Sequence, residues 1–304
     1  MNLVYCFIGT LPQYAIDTVH QARLFYDGPI YFIISDFTTS IHSILQTKYN
    51  VTIVNYNDVI HNDFRSVVTA CRHKFCILPG LHGREQLFIY AFERFFVLLN
   101  LMIQKSLTNV LFPELDNLLY DDPRVWEERF CEKDIAYMYD NHERCASGIA
   151  FFKNIEGLAS LSQYFLNTIP RTTTFLNEMT MLYNYLNLHK DTVQIIPTHW
   201  NASNVPEISY RNYEMYKGGI FDAAALGIFL GGMDPFHTNG KVVKGLKGSW
   251  SAIDYTSYRY EWREDEMGRR IPYVFNESEN VWIKINNLHI HSKVLVDCLS
   301  RPIE

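Results

Sequence analysis

The sequence predicts an α/β protein in which a mostly parallel sheet carries helices on both faces. Short apolar runs, typical of buried strands, alternate along the first half of the chain with longer stretches whose apolar residues recur at helical spacing. Three of these runs stop at Gly9, Asp36 and Pro113. With 304 residues, 48% of them hydrophobic, the chain can bury a substantial core.

The elements of the first half follow from these runs. Continuous apolar runs, without alternation, are typical of strands that are buried on both faces. Residues 85–103 carry apolar side chains on nearly every side, which predicts a helix packed on both sides. Their longest apolar stretch, 95–103, is too short to span a bilayer. Strands are predicted over residues 3–8, 29–35, 51–54 and 110–112, and helices over 13–25, 41–45 and 85–103.

The second half continues the same pattern and then changes in composition. Beyond about residue 200 the chain is richer in Tyr, Trp, Gly and Asn, but no linker or repeat marks a boundary. We therefore expect one domain, 1–304, whose last third is a C-terminal elaboration. Strands are predicted over residues 135–138, 147–153, 193–196 and 281–285, and helices over 125–130, 158–166 and 174–188.

Composition excludes several classes of partner and location. A net charge of −6 argues against a nucleic-acid partner. The six cysteines have no framework spacing, and we expect Cys71 and Cys76 to be free thiols. No basic leader and no transmembrane segment is predicted, so we expect a soluble protein of the cytoplasm. The oligomeric state stays open.

An acidic pair follows the predicted strand over residues 110–112. Pro113 ends that strand, and Glu114 and Asp116 come at alternate positions, so in extended chain their side chains point the same way. Together they offer hard oxygen ligands to one divalent cation. The alternative is an acidic loop before a helix near Pro123, which is the better interpretation for Asp121 and Asp122. For the pair itself both interpretations stay open.

Other polar residues are predicted at the same edge of the sheet. Thr10 and Asp36 follow the first two strands, and ligands of parallel sheets bind beyond the carboxyl ends of the strands. Arg94 stands among apolar residues and must find an anion, because an unpaired buried charge is costly. That anion is either Glu93 or another carboxylate in a structural ion pair, or the metal-site carboxylates or a phosphate.

Two further groups lie in the last third of the chain. Asp222 precedes a small-residue helix, so it either caps that helix or acts as a base or a sugar-binding carboxylate. His289 and His291 lie on one face if the chain is extended, and Lys293 follows them. One imidazole can complete the ligands of a cation, although a surface His-x-His usually has no such role.

With these residues in place, the chain resembles nucleotide-sugar-dependent glycosyltransferases of the GT-A fold, close to bacterial and large-virus surface-glycan enzymes. The resemblance implies a GT-A-like, Rossmann-type sheet, and it departs from the family in having Glu114 where the Asp-x-Asp (DxD) motif has its first Asp. The matching segments, in order, are ERFFVL at 93–98, LFPELDNLLY at 111–120, SGIAFFKN at 147–154, NEM at 177–179, FDAAALG at 221–227 and LHIHSK at 288–293.

The resemblance also implies an activity and a set of site residues. It implies transfer of a sugar from a nucleoside diphosphate sugar (UDP-linked) to a glycan acceptor, with Mn²⁺ or Mg²⁺ as cofactor. Residues 1–120 are the implied nucleotide-binding half, and residues 121–304 the acceptor-binding half with the C-terminal metal-ligand segment. The implied metal ligands are Asp116 with His289 or His291; the donor contacts are Thr10, Asp36, Arg94, Glu114 and Lys293; and the catalytic carboxylates are Asp222, the preferred base, and Glu178.

Two other functions compete with this one. A metal-dependent sugar-nucleotide phosphohydrolase also uses acids and histidines, but two-metal enzymes usually have denser clusters of them. A non-catalytic glycan-binding protein on a transferase fold would stack sugars on aromatic side chains such as Trp200, Trp250, Tyr255 and Tyr258. The donor sugar, the linkage and the stereochemical outcome stay open.

Overall fold

A computed structural model describes residues 1–75, 85–200, 205–248 and 250–303. Cys71 is buried and free of any disulfide, whereas Cys76 lies outside the described residues. The strands, in chain order, are β1 Asn2–Phe7, β2 Ile30–Ile34, β3 Val51–Asn55, β4 Val110–Pro113, β5 Asn117–Leu119, β6 Ile135–Asn141, β7 Arg144–Phe152, β8 Val193–Ile196, β9 Gly219–Ile220, β10 Tyr260–Glu264, β11 Arg270–Asn276, β12 Val281–Ile285 and β13 Asn287–His289. The α-helices are α1 Tyr14–Arg23, α2 Ile41–Tyr49, α3 Asn62–Cys71, α4 Glu85–Lys105, α5 Glu127–Phe130, α6 Ile155–Thr168, α7 Glu178–Leu188 and α8 Ala225–Gly231.

Seven strands form the main sheet in the order β3-β2-β1-β4-β7-β6-β8. Within it, β7 alone runs antiparallel to its neighbours, β4 and β6. The remaining pairs are parallel. The predicted class, an α/β protein with a mostly parallel sheet, is therefore confirmed. Because β1, β2, β4 and β6 point the same way, their carboxyl ends share one edge.

Helices cover both faces of this sheet, as predicted. One core joins Val4 and Ile33 to the apolar sides of α3, α4, α6 and α7. The other joins Leu3 and Phe32, which point to the opposite face, to α1 and α2. Successive residues of β1, and likewise of β2, therefore belong to different cores, as the two-residue period of a strand requires.

Several elements differ in extent from the sequence prediction. The strands predicted over 135–138 and 147–153 are parts of one longer hairpin, β6–β7. The helix predicted over 174–188 begins later, at Glu178, because the Asn177 side chain accepts the N–H of Thr180 at 2.8 Å and caps it. Asp122 accepts the N–H of Arg124 at 3.0 Å, as expected for a residue that caps a turn.

Helix α4 is longer than its apolar stretch suggested. Its 21 residues are enough, by length and composition, to cross a membrane, which corrects the prediction that the stretch is too short. However, 61% of its apolar window is buried inside the protein, against the sheet and neighbouring helices. That burial is typical of a core helix, and it matches the predicted packing on both sides.

In the described residues, two smaller sheets contain the strands of the last third of the chain. Strands β10, β11, β12 and β9 form a four-stranded sheet, in which β12 coincides with the strand predicted over 281–285. Strand β13 pairs antiparallel with β5. This short ladder joins the end of the chain to the segment that directly follows the acidic pair.

Candidate functional site

The β5–β13 ladder determines which C-terminal residue meets the acidic pair. His289 lies opposite Asn117, and the N–H of Ile290 donates to the carbonyl oxygen of Asp116 at 2.8 Å. The side chain of Asn287 donates to Asn117 Oδ1 at 2.6 Å and fixes the same register. The imidazole of His289 therefore lies beside the carboxylates of residues 114 and 116.

Glu114, Asp116 and His289 form a compact group, the ligand cluster. Each side chain offers one ligand atom, and these atoms lie within 4.8 Å of one another. Nε2 of His289 is 3.1 Å from Oε2 of Glu114 and 3.1 Å from Oδ1 of Asp116. Two carboxylate oxygens and one imidazole nitrogen suit Mn²⁺, and the oxygens suit Mg²⁺. Across the part of the chain that the structure describes, this is the one such group of His, Cys, Asp or Glu side chains.

Arg94 holds Glu114 in position from helix α4. Its Nη2 lies 2.5 Å from Oε1 of Glu114 and donates to Oγ of Ser147 at 2.7 Å. Of the anions that the sequence left open, the structure thus pairs Arg94 with Glu114. Burial raises the pKa of the Glu114 carboxyl, but Arg94 and the hydrogen bond from His289 outweigh burial, so this pKa lies well below its usual value.

Lys293 is the second cation of the cluster. Its Nζ contacts Oδ2 of Asp116, whose side chain is 7% exposed, whereas the Lys293 side chain is 42% exposed. Its backbone is left-handed, with φ at 63°, and its N–H donates to the carbonyl of Ile290 at 3.1 Å. Each carboxylate of the cluster therefore has one cationic partner, Arg94 for Glu114 and Lys293 for Asp116.

Asp222 is fully engaged with the backbone. Its carboxylate accepts the N–H groups of Ala224 at 2.8 Å, Leu226 at 2.9 Å, Gly227 at 2.7 Å and His289 at 2.9 Å. The first three hydrogen bonds cap α8, which is the alternative that the sequence left open. The fourth was not foreseen, and it anchors the backbone of the histidine ligand.

Two glycines allow the chain to approach His289 closely. A Cβ on Gly227 would lie 1.9 Å from the carbonyl oxygen of His289, so no larger residue fits there. A Cβ on Gly148 would lie 3.0 Å from Nδ1 of His289 and 3.1 Å from Nδ2 of Asn117. Strand β7 and helix α8 therefore pack directly on the ligand cluster, through positions that the sequence alone does not connect to a histidine.

His291 lies beside the cluster but does not face the carboxylates as His289 does. The centroids of the two imidazole rings are 4.7 Å apart. Its Nε2 is buried and has no hydrogen-bond partner within the described part of the chain. Burial, followed by the charge of His289, lowers the pKa of His291 to about 3.

Glu178 is the first residue of α7 and lies within electrostatic reach of the cluster. Burial raises the pKa of its carboxyl; Arg94 lowers this pKa and Glu114 raises it in turn. The charge of Arg144 also lowers the pKa of the Glu178 carboxyl. Helix α7 also packs on strand β7, which carries Ser147, the hydrogen-bond partner of Arg94. Glu178 is thus a further carboxylate within electrostatic reach of Glu114, at the start of a helix that packs on β7.

Thr10 and Asp36 lie together where β1 and β2 end. The N–H and hydroxyl of Thr38, and then the side chain of Thr10, hydrogen-bond to Asp36 and lower its pKa. The preceding residues are joined as well, since the N–H of Gly9 donates to Oγ of Ser35 at 2.8 Å. The two loops therefore converge at the carboxyl edge of the sheet.

A cavity of about 410 Å³ opens beyond the ends of β1, β2 and β3. The Tyr56 hydroxyl donates to Oε1 of Glu93 and accepts a hydrogen bond from Nη2 of Arg65 at 3.0 Å. Glu93 and Arg94 are consecutive on α4, so one helix supplies both this cavity and the ligand cluster. The residues that line the cavity are Ile8, Ser35, Tyr56, Asn57, Phe64, Arg65, Val68, Thr69, Arg72, Gln86, Ile89, Tyr90 and Glu93. Thr10 and Asp36 are not among them, although the residues just before the two loops are.

Comparison with known proteins gives similarity at the level of structure alone. No protein-family model and no curated protein sequence matches the chain. Solved structures that it resembles include mouse xyloside xylosyltransferase 1, with a TM-score of 0.47, 13% identity, and 66% of this chain and 86% of that chain covered. The galactosyltransferase LgtC, in complex with donor and acceptor sugar analogues, has a TM-score of 0.43 and 11% identity, with 65% of this chain and 74% of that chain covered. The glycosyltransferase GlyE of Streptococcus pneumoniae has a TM-score of 0.41 and 13% identity, with 63% of this chain and 44% of that chain covered. The chain thus spans less than half the length of GlyE.

All three of these proteins are glycosyltransferases by name. With TM-scores below 0.5 and identities of 11–13%, the donor, the acceptor and the need for a metal have to be inferred from the side chains of this chain.

Proposed function

We propose that the protein is a soluble, cytoplasmic, metal-dependent glycosyltransferase that moves a sugar from a nucleoside diphosphate sugar, linked to uridine, to a hydroxyl of a glycan. The observation that carries this proposal is the convergence of Glu114, Asp116 and His289 with two cationic side chains. This group lies at the carboxyl edge of a parallel sheet, where ligands of such sheets bind.

The residues of the ligand cluster suit a diphosphate leaving group. A divalent cation, when bound, supplies positive charge that neutralises the departing diphosphate. Asp116 and His289 would hold it, and Glu114, kept in place by its 2.5 Å ion pair with Arg94, lies beside them. Lys293 has a long, half-exposed side chain, so its ammonium group can donate hydrogen bonds to phosphate oxygens.

The cavity beyond β1–β3 suits the nucleoside of the donor. Its volume of about 410 Å³ lies within the ordinary range of small-molecule sites. Arg65, Tyr56 and Glu93 form a connected polar wall that can fix the orientation of a base or a ribose. Thr10 and Asp36 come shortly after Ile8 and Ser35, which line the cavity, and lie at the same sheet edge, where they can contact the ribose hydroxyls.

Glu178 is a better acceptor of the proton from the attacking hydroxyl than Asp222. Four backbone N–H groups already occupy the carboxylate oxygens of Asp222, and Asp222 is 1% exposed. Glu178 carries a carboxyl whose pKa is raised by burial, beside Arg94 and Glu114. Burial raises the pKa of the Asp222 carboxyl as well, so the choice of Glu178 rests on the occupied oxygens of Asp222; a general base contributes about 10²–10⁴ to the rate. Asp222 then acts as a positioning residue, through the backbone of His289.

Trp250 is the aromatic residue best placed for the acceptor. Trp200 and Tyr255 are 3% and 5% exposed and belong to the core, whereas Trp250 is 70% exposed. The backbone carbonyl of Trp250 accepts a hydrogen bond from Nδ2 of Asn141, at the carboxyl end of β6, at 2.7 Å. The guanidinium group of Arg144 lies 5.5 Å from the centroid of the Trp250 ring. A sugar ring stacked on the indole would therefore lie at the sheet edge that carries the ligand cluster.

A donor screen tests this function and separates it from its competitors. Purified protein is mixed with Mn²⁺ and a panel of nucleotide sugars, and release of nucleoside diphosphate is measured with and without glycan acceptors. The proposal expects release that increases with an acceptor and yields a glycosylated product. Release that is fast and indifferent to every acceptor indicates a phosphohydrolase. No release and no nucleotide binding, together with binding of glycans, indicates a non-catalytic protein.

A further inference from the structure

Within the described residues, the charges of the two ligand carboxylates are matched by two cationic side chains. Two carboxylates, Glu114 and Asp116, face two cations, Arg94 and Lys293. Both oxygens of Asp116 are engaged, Oδ1 with Nε2 of His289 at 3.1 Å and Oδ2 with Nζ of Lys293. Because Asp116 is buried, its charge needs such a partner. A metal ion that takes Asp116 as ligand must therefore compete with Lys293.

Of the two cations, Lys293 is the one that can leave. Arg94 is 9% exposed and also donates to Oγ of Ser147 at 2.7 Å and to the carbonyl of Ala91 at 3.2 Å. The Lys293 side chain is 42% exposed and ends in an ammonium group on a flexible stem. Its backbone is fixed by the hydrogen bond from its N–H to Ile290, so a change of position is confined to the side chain.

We propose that Lys293 is an internal competitor of the metal ion and that the donor diphosphate removes it from Asp116. This inference rests on the proposed function. A divalent ion alone would leave the cluster with two excess positive charges, and a nucleoside diphosphate brings at least two negative ones. Its phosphate oxygens also offer Lys293 a new partner. The ion and the diphosphate therefore bind cooperatively, and by linkage each tightens the other by the same factor.

The test measures Mn²⁺ binding directly, from the EPR signal of free Mn²⁺, with and without saturating UDP. In Lys293→Met the competitor is gone, so Mn²⁺ alone binds about tenfold more tightly than in the wild type, within the usual range of coupling between sites. UDP tightens Mn²⁺ binding about tenfold or more in the wild type and clearly less in Lys293→Met. Lys293→Arg keeps the charge and binds Mn²⁺ alone as weakly as the wild type.

Lys244→Met is the matched control. Lys244 forms a 3.0 Å ion pair with Asp297 and is 46% exposed, so the variant removes a lysine of similar exposure from an exposed ion pair outside the cluster. It should match the wild type in both measurements. Unfolding curves confirm that each variant is folded.

The outcomes separate this inference from the proposed function. If the wild type binds Mn²⁺ and UDP together, but Lys293→Met binds Mn²⁺ alone no more tightly and shows the same tightening by UDP, the competition is wrong and the function stands. If the wild type binds no Mn²⁺ even with UDP, the proposed function itself is wrong.

Discussion

Arg94 and Glu114 form an ion pair that joins the middle of helix α4 to the first residue after strand β4, with Nη2 2.5 Å from Oε1. The pair fixes one oxygen of Glu114, while the other faces His289 at 3.1 Å. A glutamate side chain has one more rotatable bond than an aspartate, so a fixed partner on one oxygen matters more at this position. The ion pair thus fixes the position of the Glu114 side chain despite its extra rotatable bond.

Removal of Arg94 should destabilise the protein because it leaves a partly buried carboxylate without a cation. We expect Arg94→Met to lower the free energy of unfolding at pH 7 by about 2–3 kcal/mol, at the low end for a buried pair since the Glu114 side chain is 28% exposed. Urea unfolding measures this. Arg211→Met, which breaks the exposed pair with Glu207, is the control and should cost little. Equal effects of both substitutions would contradict the role of Arg94.

Replacement of Glu178 and of Asp222 by the corresponding amide should have different effects, on the transfer rate for Glu178 and on stability and Mn²⁺ binding for Asp222. Glu178→Gln keeps the fold and the binding of UDP with Mn²⁺, but transfer falls about 10²-fold or more because the base is lost. Asp222→Asn replaces one acceptor oxygen by a donor and lowers the free energy of unfolding by about 1–3 kcal/mol. It also weakens Mn²⁺ binding, through His289. An Asp222→Asn variant with normal stability and no transfer would instead make Asp222 the base.

Replacement of Trp250 should weaken binding of the acceptor and leave the donor reaction unchanged. Trp250→Ala should raise the KM for a pyranoside acceptor on the order of tenfold, equivalent to about 1.4 kcal/mol of lost stacking. Hydrolysis of the donor without acceptor stays unchanged, and Trp250→Phe restores part of the affinity because it keeps a ring. Met267→Ala, at a residue that is 64% exposed, is the control for loss of surface area. A KM that does not respond to Trp250→Ala would place the acceptor elsewhere.

His199 should make the protein less stable as the pH falls below neutral. Burial lowers the pKa of His199 to about 4, although its contact with the Trp200 carbonyl partly opposes this. In the unfolded chain the pKa is about 6.5, so between pH 6.5 and 4 the unfolded state binds one more proton than the native state. His199 therefore stabilises the fold fully above pH 6.5, and this contribution is lost at about 1.4 kcal/mol per pH unit as the pH falls.

Urea unfolding at several pH values between 7 and 4 tests this. His199→Asn keeps a donor near the position of Nδ1 but does not titrate. Its free energy of unfolding should therefore fall less steeply as the pH is lowered, with unfolding taking up about one proton fewer than in the wild type. His291, whose pKa is also lowered, is present in both proteins and cancels in the comparison. Parallel curves for the two proteins would show that the pKa of His199 is not lowered in the native state.

The sequence predicts the sheet well because buried strands leave continuous apolar runs, and it predicts the acidic pair because the strand before it ends at a proline. It does not choose between His289 and His291. That choice depends on the register of the β5–β13 ladder, which side-chain hydrogen bonds such as Asn287 to Asn117 fix after folding. The second role of Asp222, holding the backbone of His289, is hidden for the same reason, since its fourth donor is the N–H of His289.

The cavity is also beyond sequence reasoning. Its polar wall comes from a loop after β3, from α3 and from α4, and no local pattern links Tyr56, Arg65 and Glu93. Thr10 and Asp36 are predictable as strand ends, but the lining of the cavity begins at the residues before these loops. Such sites follow from the packing of helices on the sheet, which the sequence specifies only through many small contacts.

In the proposed function, Asp116 and His289 hold one cation that also binds the diphosphate. Pulsed EPR of bound Mn²⁺ in the presence of UDP tests this directly, because it detects ¹⁴N of a coordinated imidazole and ³¹P of a coordinated phosphate on the same ion. We predict both couplings in the wild type, loss of the ¹⁴N coupling in His289→Gln and its retention in His291→Gln. Bound Mn²⁺ without ¹⁴N coupling in the wild type, or a coupling that His291→Gln removes and His289→Gln keeps, would contradict the account.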